Sequence, residues 1–180
     1  YAKKNYFGEG PTKLAKLAEK LLRKQNIQKI LEVGCGQGRD AIHFSQLGFD
    51  VHAFDISKNA VQSIINIKDK MNLNKLNVFE HNVTNPLTFP DKYFDFVYSN
   101  LALQFFELDT LSKILENISK VMQKNSSFLL STKKEGDKYY KTGKKINANA
   151  YEHKGITRYF YPVENLKSIL SEQFRIIKID

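Results

Sequence analysis

The chain has 180 residues, 42% hydrophobic and 26% charged, the make-up of one globular domain that can bury its own core. No run approaches the roughly eighteen apolar residues a membrane span needs, and a single cysteine, Cys35, excludes both an internal disulfide and a zinc cluster. A net charge of +9 permits an anionic partner, but only 4 of the 28 Lys and Arg residues are Arg, so nucleic acid is disfavoured for want of bidentate donors.

Along the chain, short apolar runs alternate with helical periods, as in an α/β protein with a mainly parallel sheet. Residues 11–25 read as a helix, with Pro11 suited to a first turn and Leu14, Leu17, Ala18, Leu21 and Leu22 as its apolar stripe. A strand over 29–33 runs into a glycine cluster, and a helix over 39–47 stops at Gly48. A second strand covers 51–55, after which Ser57 caps a helix reaching about Asn72. Strands follow over 76–81 and 94–99. Apolar residues at 108, 111, 115, 118 and 122 mark a helix with one buried face. A fifth strand covers 128–132, a helix 162–170 and a sixth strand 174–179. With no repeat or linker, 1–180 reads as one doubly wound, three-layer Rossmann-like domain. Residues 133–161 break the rhythm with a long, aromatic-rich insertion, either a cap over a substrate site or a β-hairpin packed through its aromatics.

The stretch from Glu32 to Asp55 carries the chemistry. A buried strand feeds Glu32-Val33-Gly34-Cys35-Gly36-Gln37-Gly38, a helix opens, and the next strand ends on Asp55. In a parallel sheet, ligands sit beyond the carboxyl ends of strands where the crossovers diverge. Glycines there let a ligand approach the backbone, and an acid ending the second strand can accept both hydroxyls of a ribose. A dinucleotide fingerprint fits poorly: counted from Gly36, the sixth position is Ala41, and Asp40 stands at the helix N-terminus where a pyrophosphate would lie. No G-K-[ST] follows, which excludes a P-loop. A phosphate-free, cationic nucleoside suits the spacing better. Cys35 reads as a small residue in a turn, with no His or second Cys beside it in sequence. The four histidines lack metal-ligand spacing, so no metal is expected.

At these residues the sequence resembles the class I S-adenosylmethionine-dependent methyltransferases, whose first motif is [DE]-x-G-x-G-x-G followed by an acid ending the second strand. The run GCGQGRDAIHFSQLGFDVHAFD and the late segments Asp137, Tyr139-Tyr140, Gly143-Lys144 and Gly155-Ile156-Thr157-Arg158-Tyr159-Phe160 resemble the small-molecule branch near the tellurite-resistance and thiopurine methyltransferases. The resemblance implies S-adenosylmethionine as cofactor, S-adenosylhomocysteine as product, and a sheet of order 3-2-1-4-5-(7)-6. The chain supplies six candidate strands, so either the last strand is missing or the insertion is misread. The resemblance also implies that Gly34, Cys35, Gly36 and Gly38 pass under the cofactor and that Glu32 bonds its amino group. Asp55 would hold the ribose and Ile56 would pack on the adenine. Asn82 and Val83 stand where the family places an acid against the adenine N6, and the Asn82 amide oxygen can still accept there. Ser99 and Asn100 follow the fourth strand, near the transferable methyl. No [DNS]-P-P-[YF] or Pro-Cys stands there, which disfavours base methylation.

Tyr139, Tyr140, Tyr151, Arg158 and Tyr159 are expected to roof a pocket over Ser99 and Asn100, and six lysines in 133–145 would draw an anionic acceptor. The N-terminal Tyr6 and Phe7 are expected to close over the cofactor. The expected acceptor is a small molecule bearing a thiol, hydroxyl, carboxylate or amine. No residue declares itself a general base. An RNA or protein methyltransferase and a non-catalytic cofactor-binding domain remain the alternatives, and monomer and homodimer are both open. The polar opening residues are unlike a secretion signal, so a cytoplasmic protein is expected.

Overall fold

The run Lys29–Val33 forms β1, with its last four residues buried, as suits a central strand of a parallel sheet. The structure, a computed structural model, describes residues 10–24 and 27–180, so Tyr6 and Phe7 lie outside the described residues. Strand β1 pairs with β2 (Asp50–Asp55) on one side and β4 (Phe94–Asn100) on the other, both parallel. Beyond them lie β3 (Leu76–Glu80) and β5 (Met122–Ser131), giving the order β3-β2-β1-β4-β5. The sheet is thus Rossmann-like, and its order reverses direction at β1. Register sets Val33 opposite Phe54 and Glu32 opposite Tyr98, so the carboxyl ends of β1, β2 and β4 are level. The crossovers on either side of β1 leave that edge in opposite directions and open a crevice there.

The chain divides into two compact units, Tyr1–Asn100 with Val121–Leu130, and Leu101–Lys120 with Ser131–Asp180. In the first, α1 (Lys13–Leu22), α2 (Arg39–Gln46) and α3 (Lys58–Met71) accompany the sheet. Ser57 caps α3 as expected, its hydroxyl accepting from the Ala60 amide at 3.3 Å. The core joins Ile30, Val51, Ala53, Phe96 and Tyr98 of the sheet to Phe44 of α2 and Ile64 of α3. Helix α1 is shorter than expected and is rotated: Ala15, Ala18 and Leu22 are buried, whereas Leu17 and Leu21 stay exposed. The small alanines let α1 approach α2 closely, which the larger leucines of the expected stripe would prevent. Polar bonds then fix the approach, with Arg39 Nε donating to the Gly10 carbonyl and Glu19 bonding His43.

The second unit holds a 3₁₀ turn (Leu103–Phe105), α4 (Leu108–Val121, its last residue in the first unit), and α5 (Val163–Ser171). On α4, Leu111, Ile114, Leu115 and Ile118 are buried, the face the apolar spacing marked. The insertion folds as its own antiparallel sheet, β6 (Lys144–Lys145), β7 (Ala150–His153) and β8 (Ile156–Tyr159). It therefore contains a hairpin, β7–β8, and adds no strand to the parallel sheet. The expected sixth strand does not form: residues 174–180 are irregular, and Ile177 is 78% exposed. Its β-branched sequence has the propensity but no ladder partner, and propensity alone does not hold a strand. The parallel sheet accordingly ends at β5 among the described residues.

Candidate functional site

Three glycines with positive φ carry the chain out of β1, Gly34 at 71°, Gly36 at 52° and Gly38 at 76°. The loop is tied down from beneath: the Gly34 and Cys35 amides both donate to the Phe54 carbonyl, at 3.0 and 2.9 Å, and the Gly38 amide donates to the Cys35 carbonyl. A Cβ at Gly36 would meet nothing within 4 Å, so its outer face is open. Gly38 is the reverse case, since a Cβ there would lie 2.6 Å from Cγ1 of buried Ile64. Two glycines of one motif thus serve different ends, one admitting a ligand and the other admitting α3.

Asp55 closes the opposite wall. One carboxylate oxygen accepts from the Gly36 amide and the other from the Ser57 amide, both at 2.9 Å. It therefore fixes the loop and the start of α3 together, with one lone pair per oxygen to spare. Ile56, beside it, is 67% exposed despite its apolar side chain, as an apolar platform would be. Ser99 is buried and donates to the Val33 carbonyl at 3.1 Å, so its hydroxyl serves to join β4 to β1. Asn82 departs from expectation. Its amide oxygen accepts from both the backbone N–H and the hydroxyl of Thr84, at 3.0 and 2.9 Å, and so is already used by its own turn. Val83 is half-buried in the same turn.

Beneath the loop, Glu32 is 4% exposed and its Oε2 has no hydrogen-bond partner among the described residues. Burial pushes its carboxyl well above the usual carboxylate range, and the neighbouring Asp40 and Asp55 push it the same way. Burial, with Glu32 and Asp55 nearby, likewise drives the Cys35 thiol up, which makes it a poor nucleophile.

Asp40 is also 4% exposed, but it is saturated with donors. The Thr12 amide and hydroxyl each reach it at 2.8 Å and the Tyr98 hydroxyl at 2.6 Å, with the Asn100 amide at 3.4 Å. Its carboxylate thus faces α1 and β4, and it does not stand open at the helix N-terminus as the sequence suggested. Burial raises the Tyr98 hydroxyl's pKa and the hydrogen bond to Asp40 adds to this, so the phenol stays a donor. Thr12 and Tyr98 were not among the residues expected at the site. The signal was a tyrosine inside an otherwise apolar strand, since a buried phenol needs a partner. Asp40→Ala is expected to cost about 2–4 kcal/mol by leaving Tyr98 and Thr12 unpaired, a fall of roughly 4–16 °C in unfolding midpoint. Tyr98→Phe removes the hydroxyl's contacts with Asp40 and Thr12 but leaves Asp40 its Thr12 donors, so its midpoint should fall less. An equal or larger fall for Tyr98→Phe in the same thermal scan would contradict this ordering.

In the second unit, the tyrosines separate. Tyr139 lies among cations, with Lys133 and Lys138 nitrogens 5.1 and 5.0 Å from its ring centre and the Arg158 guanidinium 5.5 Å away. Lys133 is buried and paired with Asp137 at 2.7 Å. Partial burial raises the Asp137 carboxyl, but the Lys133 bond and the Tyr139 amide outweigh it and hold it low. Tyr140 instead packs against Tyr151 and Phe160, and Tyr159 donates to Glu107 at 3.1 Å. A hollow of about 210 Å³ lies by Tyr159, Tyr161, Glu107 and Asn149. Of the five residues expected to roof the acceptor pocket, Tyr139 and Arg158 are thus brought together, Tyr140 packs on Tyr151, and Tyr159 bonds Glu107 instead. Among the described residues, no group of three or more His, Cys, Asp or Glu is placed to hold a metal ion.

A SAM-dependent methyltransferase from Methanosarcina mazei shares the fold with a TM-score of 0.75, at 19% identity over 84% of this chain and 82% of that one. TehB from Haemophilus influenzae superposes with a TM-score of 0.58, at 23% identity over 64% of this chain and 39% of that one. A probable S-adenosyl-L-methionine-dependent methyltransferase TehB from Haemophilus influenzae (strain 10810) is 30% identical over 93 residues, 51% of this chain. The chain spans only 31% of that relative's length. The family model described as tellurite resistance protein TehB matches residues 3–168. With nearly the whole sequence so matched and the glycine loop and Asp55 in place, the chain belongs to the TehB family.

Proposed function

We propose that this chain is an S-adenosylmethionine-dependent methyltransferase acting on a small-molecule acceptor, with both units in one methyltransferase domain. The observation that carries the reading is the open face of Gly36, whose amide is held by Asp55, in the loop that follows buried Glu32 with its unpartnered oxygen. Those groups fit the cofactor: a buried carboxylate oxygen for a cationic amino group, an acid for a ribose, and exposed Ile56 for an adenine. Gly34, Cys35, Gly36 and Gly38 would form the floor. When bound, the cofactor supplies an activated methyl group on a sulfonium. The protein's own task is then to orient the acceptor and keep water out. Asn82 would contribute through its turn, since its amide oxygen is committed to Thr84.

The acceptor in this reading is anionic. Lys133, Lys138 and Arg158 around Tyr139 face one paired carboxylate, Asp137, which leaves net positive charge at an aromatic ring. A thiolate, phenolate, carboxylate or other oxyanion suits that cluster and needs little general-base help. Arg158→Ala is expected to raise the acceptor KM about tenfold or more, with S-adenosylhomocysteine affinity unchanged. An unchanged KM for every anionic acceptor would remove Arg158 from the site.

The cofactor reading is tested by thermal unfolding with S-adenosylhomocysteine, using NAD as control. At one hundred times the dissociation constant a ligand adds about 2.7 kcal/mol, which for a chain of this length raises the midpoint by roughly 5–11 °C. No shift, or a shift with NAD alone, would overturn the reading. Binding without transfer to any acceptor would make the chain a cofactor sensor, and a steep salt dependence of RNA binding would move the acceptor to nucleic acid.

A further inference from the structure

Glu32 sits on β1 between Ala53 of β2 and Tyr98 of β4 and has 4% of its surface exposed. Among the described residues its Oε2 meets no donor. Each element packed around it offers the wrong charge or none to spare. From β2 comes the Asp55 carboxylate and from α2 the Asp40 carboxylate, both of which act on Glu32 as like charges. From β4 comes the Tyr98 hydroxyl, whose proton is committed to Asp40 at 2.6 Å. From the glycine loop comes the Cys35 thiol, itself held protonated. A carboxylate in that place would be a buried charge with no counter-ion beside two others of its own sign, an arrangement proteins avoid by binding a proton.

We propose that Glu32 is a carboxylic acid in the ligand-free protein and surrenders its proton when an ammonium group binds beside Oε2, so that cofactor binding is an exchange of one cation for another. The inference rests on the S-adenosylmethionine reading for the identity of the ammonium, and on this structure for the proton. In the exchange the Glu32 O–H bond breaks and its proton leaves to solvent. An N–H of the ligand's α-ammonium then donates to the carboxylate so formed, so that one positive charge replaces another beside Oε2. The exchange lets one site be stable when empty and still offer a full negative charge when occupied. It also makes affinity pH-dependent: below the carboxyl's own pKa the proton competes, and affinity falls about tenfold for each pH unit.

The test is titration calorimetry of the full chain with S-adenosylhomocysteine at about pH 6.5, where an α-amino group is protonated, in buffers of different ionisation enthalpy. The expected result is release of at least about half a proton per site with S-adenosylhomocysteine, and none with 5′-methylthioadenosine, which has the nucleoside but no amino group. A smaller release with the first ligand, or an equal one with the second, overturns the proposal. Glu32→Gln should release no proton with either ligand. Persistent release from that variant also overturns it. Should Glu32→Gln fail to fold, infrared difference spectra of the unaltered protein decide, through a protonated-carboxyl band that S-adenosylhomocysteine abolishes and 5′-methylthioadenosine leaves. If neither ligand binds, the cofactor reading falls by itself, and the same band in the ligand-free protein still decides whether Glu32 carries a proton.

Discussion

Asp55→Ala is expected to weaken S-adenosylhomocysteine binding by a factor of about 10² to 10⁴. The carboxylate would give up two charge-assisted hydrogen bonds to ribose hydroxyls, each contributing about 1.5–3 kcal/mol. The structure adds a second loss. The Gly36 and Ser57 amides both depend on Asp55, one on each oxygen, so the alanine variant also frees the glycine loop from the start of α3. That part appears without ligand, as a fall of about 1–2 kcal/mol in stability. Asp55→Asn is expected to do nearly as much harm to binding. Its side chain has a single acceptor oxygen for two amide donors, and its NH₂ would point at one of them. Calorimetric titration of the parent and both variants checks this. Binding of either variant within threefold of the parent would remove Asp55 from the cofactor site.

The second large effect separates two glycines that look equivalent in the sequence. Gly36→Ala meets no neighbouring atom, so its structural cost is confined to the left-handed backbone at φ 52°, about 1–2 kcal/mol. Its methyl group projects into the open face proposed for the ligand, and binding should drop at least about a hundredfold, the cost of a steric block that the ligand cannot relax around. Gly38→Ala carries the same backbone strain and drives its Cβ to 2.6 Å from Ile64 Cγ1 and 2.8 Å from Cδ1, in a fully buried core. Overpacking adds about 1–3 kcal/mol, so the midpoint should fall by roughly 4–20 °C. Folded Gly38→Ala, assayed well below its midpoint, should still bind. Equal damage to stability by both variants, or normal binding by Gly36→Ala, would refute this division of labour.

Much of the parallel sheet was legible in the sequence because each of its strands carries its own signal. Lys29–Val33 reads as a buried run, and Ser57 announces a cap that needs only local geometry. What depended on distant partners was not legible. Leu17 and Leu21 belong to the expected apolar stripe and stay exposed, while Ala15, outside it, is buried with Ala18 and Leu22, because the approach of α1 to α2 is decided by side chains on both helices. Residues 174–179 have strand composition and no strand, since pairing is a property of two segments. The same distinction applies in the site. Glu32, Gly36 and Asp55 follow from motif spacing, whereas the saturation of Asp40 by Thr12 and Tyr98 joins residues 28 and 58 positions apart. The Asn82 turn was overlooked although its cause is local: Thr84 two residues on satisfies its amide oxygen, a turn habit visible in the sequence once sought.

The position of Cys35 has a practical use. It is the sole thiol in the chain, lies within the glycine loop, and is buried in an environment that keeps it protonated. A thiol-modifying reagent can therefore mark the molecule at one place only, and only in the moments when that loop lifts from the Phe54 carbonyl beneath it. The rate of labelling becomes a clock for loop opening, read by a mass increment on the intact chain and requiring no engineered reporter.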